Sequence, residues 1–402
     1  MKIVDVSGFY SETGGGVASY VRQKLAQAAR LGHEVVVVAP GAESRTEQRV
    51  GGKIVWVKSP GMPFDANYHM FFRGEEVWRV LDREAPDVVE GSSPWRGGWL
   101  AGHWRGDAVK SLVFHQDFIA GYPYTLLGGF MSRPAIDRLF GAYWRYVRRL
   151  SDCFDVTVAG GDWLAERLKS FHLHNPVSVP LGIETGLFSP ARRDEALRQS
   201  LLAQCVVPPT GRLLLTVGRH HPEKRHRTII DGFVRARQVR PDLGLVIIGD
   251  GPLRPSVETW AKKAGHVHVL GAVSDRKMLA SCFASADILV HGSGAETYGL
   301  VVAEAISSGL AVVSPDTGGA ADLARRGLSR LYATGDAASC SLAILDLLKA
   351  IEGADRPPVL DPPGTAESHF VALFSLYQSM IDARRAGGLD AKASLAVPPT
   401  SP

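Results

Sequence analysis

The chain has 402 residues, 45% apolar and 21% charged, too long for one ordinary domain and close to the average of soluble globular proteins. Lys plus Arg is 45 and Asp plus Glu is 41, a near balance without the basic tail or large cationic footprint of a nucleic-acid-binding protein. The four cysteines, Cys153, Cys205, Cys282 and Cys340, form no CxxC pair, so neither a zinc site nor a disulfide framework is expected and a reducing compartment fits.

The first residues, Met1 to Ser7, read as a buried strand. Asp5 interrupts the run and no cleavage site follows, which argues against a signal peptide. No apolar run reaches bilayer-spanning length, so a cytoplasmic protein is expected, in at most peripheral contact with the inner face of a membrane. Short β-branched runs then alternate with helical patterns, the signature of parallel sheets covered by helices. The pattern predicts strands at 2–7, 34–39, 53–58, 87–90, 111–115, 156–159 and 177–180. A helix at 17–31 carries Val17, Val21, Leu25 and Ala28 on one face. A second helix, at 161–170, has Asp162 as its predicted cap.

The segment 183–211, with Pro190, Pro208 and Pro209, reads as a linker holding one short helix. The alternation then restarts, with strands predicted at 212–217, 244–248, 267–270, 287–291 and 311–314. Helices follow at 225–238, 253–264, 274–284, 300–308 and 336–350. The reading is α/β: two Rossmann-like domains in tandem, an N-terminal one over 1–182 and a C-terminal one over 183–365. A further helix is predicted at 366–385, with Phe370, Leu373, Phe374 and Tyr377 as its packing face, and the tail 386–402 reads as disordered.

Ligands of parallel sheets bind beyond the carboxyl ends of the strands. Strand 212–217 runs into Gly218-Arg219-His220-His221-Pro222-Glu223-Lys224-Arg225. Arg219 and Lys224 there, with a helix N-terminus, suit a diphosphate, although a solvated basic turn has the same composition. Strand 287–291 leads to Glu296 in a glycine-bearing loop and Glu304 in the next helix, carboxylates that can accept hydrogen bonds from sugar and ribose hydroxyls; Glu304 alone reads equally as a surface residue. Gly249-Asp250-Gly251-Pro252 reads as a structural turn. Gly14-Gly15-Gly16 opens a helix but is no dinucleotide fingerprint. His115 ends a strand on the presumed cleft side. Of the 43 glycines, Gly15, Gly16, Gly218 and Gly299 carry the most meaning.

The combination resembles the family-4 retaining glycosyltransferases of GT-B architecture. The resemblance lies in VGRHHPEK at 217–224, IIGDGPLR at 247–254, LGAVSD at 270–275, ETYGLVVAEA at 296–305 and GLAVVSPDTGG at 309–319, with GGGV, His115 and VPLGIETGLFSP at 179–190. It implies that Arg219 and Lys224 stabilise the leaving diphosphate, that Glu296 lies near the donor sugar and that Glu304 binds the ribose. Backbone at Ala272 and Val273 would contact the base. The amides of Thr297, Tyr298, Gly299, Leu300 and Val301 would hold the diphosphate and sugar. It further implies an N-terminal acceptor domain and a C-terminal sugar-nucleotide domain facing across a cleft, with Gly15, Gly16 and His115 on the first-domain side and the helix at 366–385 returning to the first domain. Tyr298 stands where the family often has Phe, and Gln116 stands before Asp117 where His-Asp is common.

No Asp-x-Asp occurs, so fixed cations and helix N-termini are expected to replace a metal clamp. The expected activity is metal-independent hexosyl transfer, with retention, from a UDP- or GDP-sugar to a glycolipid or cell-envelope precursor. No cofactor is implied, the nucleotide sugar being a co-substrate. A nucleotide-sugar epimerase, a phosphorylase and a non-catalytic sugar-nucleotide-binding protein are the alternatives; no pyridoxal-phosphate lysine is identifiable.

Two stretches bear on the acceptor. Residues 62–73 are aromatic-rich without a period. Residues 134–150 read as one helix, with Ile136, Leu139, Phe140, Tyr143, Tyr146, Val147 and Leu150 on an apolar face and Arg138, Arg145 and Arg149 opposite. Either the apolar face packs and the arginines are solvated, or the arginines, with Arg133 and Arg148, meet anionic lipid head groups.

Overall fold

The computed structural model describes residues 1–12, 15–62, 65–184, 186–352 and 363–387; the predicted tail beyond 387 lies outside them. It divides into two compact units. The first holds Met1–Gln116, Asp137–Pro180 and the chain from Ala366, and the second holds Asp117–Ile136 and Leu181–Thr365.

The chain opens with β1 (Lys2–Val6), α1 (Gly15–Arg30), β2 (Glu34–Gly41), β3 (Arg45–Arg49), β4 (Gly52–Lys58) and the short hairpin β5 (Gly61–Met62) and β6 (Asp65–His69). There follow α2 (Gly74–Glu84), β7 (Val88–Gly91), α3 (Arg96–His103), β8 (Val109–Phe114), α4 (Phe118–Gly121), α5 (Pro123–Leu127), α6 (Arg133–Leu139), α7 (Gly141–Ser151), β9 (Val156–Ala159), α8 (Asp162–Ser170) and β10 (Pro176–Ser178). Eight strands form one sheet in the order β10-β9-β8-β7-β1-β2-β4-β3. Only β3 runs antiparallel to its neighbour. The four valines of β2 are fully buried, as a strand covered by helices on both faces requires.

The second unit contains α9 (Glu195–Gln204), β11 (Arg212–Val217), a 3-10 turn at Pro222–Lys224, α10 (His226–Val239), β12 (Leu243–Ile248), α11 (Arg254–Ala264), β13 (Val267–Gly271) and α12 (Arg276–Ser285). It continues through β14 (Ile288–Val290), α13 (Leu300–Ser307), β15 (Ala311–Pro315), α14 (Gly319–Ala324), β16 (Ser329–Tyr332) and α15 (Ala337–Glu352). Its strands order as β13-β12-β11-β14-β15-β16, all parallel. The last helix, α16 (Ala366–Arg385), packs on the first unit. Phe370, Leu373, Phe374 and Tyr377 join the core built from α1, β1 and β2, where each fully buried apolar side chain contributes about 1.5–3 kcal/mol.

Three sequence expectations are corrected. Residues 117–136 belong with the second unit, not with the first domain. Asp117 caps α4 through its carboxylate, which accepts from the Ala120 amide at 3.0 Å, and Tyr122 meets the His221 ring edge-on at 5.7 Å. The stretch 134–150 is two helices broken at Phe140, whose φ of −91° and ψ of 20° leave the helical region. The break resets the phase: Trp144 is buried, while Leu139 is 62% exposed and Tyr146 also faces solvent. Asp162 is the first helical residue of α8 rather than its N-cap residue; Gly161 precedes it at the cap position. Beyond these, β3, β5, β6, α14 and β16 form where no element was predicted.

Candidate sugar-nucleotide site

In the second sheet β11 lies between β12 and β14, so the loops leaving β11 and β14 diverge where the strand order reverses, the usual ligand position in an open α/β sheet. Lys224 comes from the first of these loops and Glu296 from the second, and there they form an ion pair. The loop bearing Lys224 is held by the neighbouring turn. The Gly218 amide donates to the Ile248 carbonyl at 3.0 Å, the His220 amide to Asp250 at 2.8 Å and the Leu253 amide to His220 at 3.0 Å. A Cβ on Gly249 would sit 1.9 Å from the Gly218 carbonyl oxygen, so that glycine permits the two loops to touch. The Gly249–Pro252 turn is structural, as its sequence suggested, but what it supports is the cationic loop.

Lys224 and Glu296 are largely enclosed, with side chains 18% and 21% exposed. Burial opposes charge on both. Even so, Glu296 and Glu223 hold the Lys224 ammonium above the usual lysine range. Lys224 and His291 likewise hold the Glu296 carboxyl below the usual carboxylate range. The pair is therefore a charged one. Arg219 is exposed and has no side-chain hydrogen bond or ion pair among the described residues. Behind the pair lie histidines that sequence reading did not single out. His291 Nε2 is 3.7 Å from Glu296 Oε1, and burial pushes its imidazole down to about 4. His226, the first residue of α10, is pushed by burial to about 3 and meets the His220 ring edge-on at 4.8 Å. All three are buried. Their signal in the sequence was only their closeness to the two loops.

The loop 297–301 divides its tasks. The Tyr298 ring is in the hydrophobic core and Val301 packs against it, while Leu300 is exposed. Gly299 has φ +98°, and a Cβ there would meet Ala320 Cα at 2.8 Å. Thr297 is buried. Ala272 is exposed and Val273 half-buried on the turn after β13. Glu304, read from sequence as a possible surface residue, is buried. Its Oε1 accepts from Arg276 Nη1 at 3.4 Å, and Arg276 Nη2 is 3.6 Å from Glu184. Burial pushes the Glu304 carboxyl up to about 7, with Arg276 opposing.

In the first unit, α1 starts at Gly15, and a Cβ on Gly16 would meet nothing within 4 Å. His115 follows β8. Its ring meets Tyr20 of α1 edge-on at 4.7 Å, and burial pushes its imidazole down to about 4. Beneath it is a network invisible in sequence. Lys24 ion-pairs with Asp5 at 2.9 Å and with Glu90, and all three side chains are essentially unexposed. Tyr377 of α16 donates to Glu90 at 2.7 Å. His369 accepts or donates a hydrogen bond with Tyr20 Oη at 3.2 Å and contacts the Pro180 carbonyl oxygen at 3.0 Å.

Among the described residues no group of three or more His, Cys, Asp or Glu could hold a metal ion, and no helix is long and apolar enough to cross a membrane.

The family model for glycosyltransferase family 4 matches residues 14–187, and that for glycosyl transferases group 1 matches residues 211–350. A GDP-mannose-dependent alpha-(1-6)-phosphatidylinositol dimannoside mannosyltransferase of Mycobacterium tuberculosis is 30% identical over 318 residues, covering 78% of this chain and 79% of that protein. The chain belongs to the family-4, or group 1, glycosyltransferases. This glycosyltransferase is also 29% identical, over 85% of its length and 87% of the relative's, to a GDP-mannose-dependent alpha-mannosyltransferase of Mycolicibacterium smegmatis. Its fold matches a glycosyltransferase from Rickettsia africae with a TM-score of 0.66 at 14% identity, covering 94% of this chain and 98% of that one. A sucrose-phosphate synthase from Thermosynechococcus elongatus also superposes at 0.66, with 17% identity and 96% and 99% coverage. The enzyme is a hexosyltransferase of GT-B fold class, and the epimerase, phosphorylase and non-catalytic readings are not favoured.

Proposed function

We propose that this enzyme transfers mannose from GDP-mannose, with retention and without a metal, to a hydroxyl of a phosphoinositol-type glycolipid. The observation that carries the chemistry is the Lys224–Glu296 ion pair at the strand-order reversal of the second sheet. The donor and acceptor classes rest on the relatives, which are named for GDP-mannose and, in one case, for a phosphatidylinositol dimannoside.

In this reading the donor diphosphate lies at the N-termini of α10 and α13, where helix dipoles favour an anion. Lys224 and Arg219 neutralise the charge that develops as the anomeric C–O bond to phosphate breaks. Glu296 accepts hydrogen bonds from donor-sugar hydroxyls and keeps Lys224 in place. Glu304 accepts from the ribose, backbone at Ala272 and Val273 meets the base, and the amides of 297–301 hold diphosphate and sugar. In the first unit Gly15 and Gly16 open α1, and His115, held neutral by burial, can accept or donate a hydrogen bond without adding charge. A departing phosphate oxygen takes the acceptor's hydroxyl proton while the acceptor oxygen bonds the same face of the anomeric carbon.

Peripheral membrane contact would bring a lipid acceptor close. Arg138, Arg145, Arg148 and Arg149 are exposed on α6 and α7, and Phe130 just upstream is 89% exposed, a cationic and apolar combination suited to anionic head groups. Arg133 contributes less, because it already bonds Thr317 at 3.1 Å.

The test is incubation with phosphatidylinositol mannosides and GDP-mannose, UDP-glucose or UDP-galactose, with and without EDTA. Product is read by mass spectrometry and its anomeric configuration by NMR. The expected result is an α-mannosyl product from GDP-mannose alone, unaffected by EDTA. Transfer only from a UDP-sugar, a β-linked product or loss of turnover in EDTA would each overturn the corresponding part. Sedimentation with anionic liposomes, lost in an Arg138/Arg145/Arg149 triple Ala variant, tests the membrane contact.

A further inference from the structure

Glu304 sits on α13, largely enclosed by protein, and among the described residues Arg276 is the one cation paired with it. Arg276, the first residue of α12, donates from Nη1 to Glu304 Oε1 at 3.4 Å. Its second arm points to Glu184 at 3.6 Å, and its guanidinium lies over the Phe188 ring at 5.2 Å. Two partners besides Glu304 therefore fix its direction, although the side chain is 47% exposed. Glu304 Oε2 has no hydrogen bond among the described residues. The elements packed on α13 bring few other charges. From α12 comes Arg276, and from the loop before α9 comes Glu184. Asp322 of α14 is paired with Arg325 at 2.9 Å. Strand β15, Ala311–Pro315, has no ionisable residue.

We propose that Arg276 is a positioning residue for the nucleotide ribose: it ion-pairs one oxygen of Glu304, keeping that carboxylate charged and oriented, and leaves the other oxygen for the ribose hydroxyls. This rests on the reading of Glu304 as the ribose ligand. A protonated carboxyl has lost part of its acceptor capacity to its own O–H, whereas a carboxylate accepts at both oxygens. The environment makes the distinction matter. Burial alone pushes the Glu304 carboxyl up, Glu184 pushes it the same way, and only Arg276 pulls it down, leaving it at about 7. Without Arg276 the carboxyl would be mostly protonated at neutral pH and the ribose would lose its acceptor. Arg276 touches neither sugar nor diphosphate in this scheme, so its loss weakens nucleotide binding and spares the chemical step.

The experiment measures GDP binding by calorimetry, and KM and kcat for GDP-mannose, at pH 6.5 and pH 8.5. It compares wild type, Arg276→Ala, Arg276→Lys and Glu304→Gln, each checked for a single cooperative melting transition. Removing a neighbouring opposite charge raises a carboxyl by about one unit or more. For a one-unit rise, Arg276→Ala weakens GDP binding about eightfold at pH 6.5 and about 1.3-fold at pH 8.5, with kcat within about twofold. Arg276→Lys recovers most of the loss at pH 6.5, and Glu304→Gln binds weakly at both pH values. A loss in Arg276→Ala that is equal at both pH values overturns the proposal, because it assigns Arg276 a direct contact or a structural role. Wild-type behaviour of Arg276→Ala beside a weakened Glu304→Gln also overturns it while leaving the ribose reading intact. Unchanged binding in Glu304→Gln overturns the ribose reading itself.

Discussion

Each unit contains a lysine set between carboxylates, and the two arrangements differ in what they leave open. Lys24 of the first unit has no exposed side-chain surface and is closed in by Asp5 and Glu90, with Ser92 on Asp5 and Tyr377 on Glu90. Nothing larger than a proton can reach it. Lys224 of the second unit has the same kind of partner in Glu296, but it projects from a loop end where strand order reverses and keeps 18% of its side chain open. The first cluster ties α1, β1, β7 and α16 together; the second stands where, in the proposed function, a donor phosphate would take over the carboxylate contact. Position relative to the strand ends, not residue type, separates the enclosed ion cluster from the one proposed to bind the donor.

The contrast can be broken in several ways, with the largest effect expected from removing α16. Ending the chain at residue 365 takes Tyr377 from Glu90 and Phe370, Leu373 and Phe374 from the first core, and no cooperatively folded first unit should remain. A sharp urea transition by circular dichroism with native first-unit fluorescence would contradict this. Exchanging the two lysines for alanine should give opposite results. Lys24→Ala strands two buried carboxylates and should cost about 3–5 kcal/mol in urea unfolding. Lys224→Ala should lower kcat by about a hundredfold or more with little change in melting. Equal losses of stability in both variants would erase the distinction.

Acid sharpens the comparison at smaller scale. His115 and His369 are held at about 4 in the first unit, and His291 and His226 at about 4 and about 3 in the second, all by burial. Each is depressed from 6.5 in the unfolded chain, so the unfolded chain binds more protons below that pH. Each group should therefore cost about 1.4 kcal/mol of stability per pH unit as pH falls from about 6.5 towards its folded value. With two such groups each, the two units should soften in parallel when hydrogen exchange is followed from pH 7 to 4.5, and the second alone should keep softening below pH 4 through His226; softening confined to one unit above pH 4.5 would contradict this. Glu304 has the opposite sign. Its folded value, about 7, is above the 4.5 of an ordinary glutamate, so it loses stability for the fold as pH rises from 4.5 to 7. Glu304→Gln should then melt higher than wild type at pH 8, by at most about 3 kcal/mol, and the gap should close near pH 4.5. A gap of the same size at both pH values would point to packing rather than charge.

The parallel strands and most helices were legible because their signal is local. Runs such as Val35–Val38 and periodic stretches such as Val17 to Ala28 need no partner to be recognised, and every predicted strand forms within two residues of its expected span. The helix break at Phe140 was not legible, since an apolar residue before Gly141 looks like a continuing face. Strand β16, Ser-Arg-Leu-Tyr, lacks a β-branched run and forms only because β15 offers it an edge. The membership of 117–136 in the second unit was equally hidden, because Tyr122 and Arg133 reveal their partners, His221 and Thr317, only in three dimensions.

The sequence by itself determined the class of the protein: alternating elements make parallel sheets, and the loops after two strands carry Arg219, Lys224, Glu296 and Glu304 at family spacing. Tertiary structure alone decided which charges meet. It closed Lys24 away between Asp5 and Glu90, drew Lys224 to Glu296, buried Glu304 and set Arg276 beside it. The physical reason is that an ionisable side chain is defined by its surroundings, and burial and the nearest opposite charge come from residues dozens or hundreds of positions away.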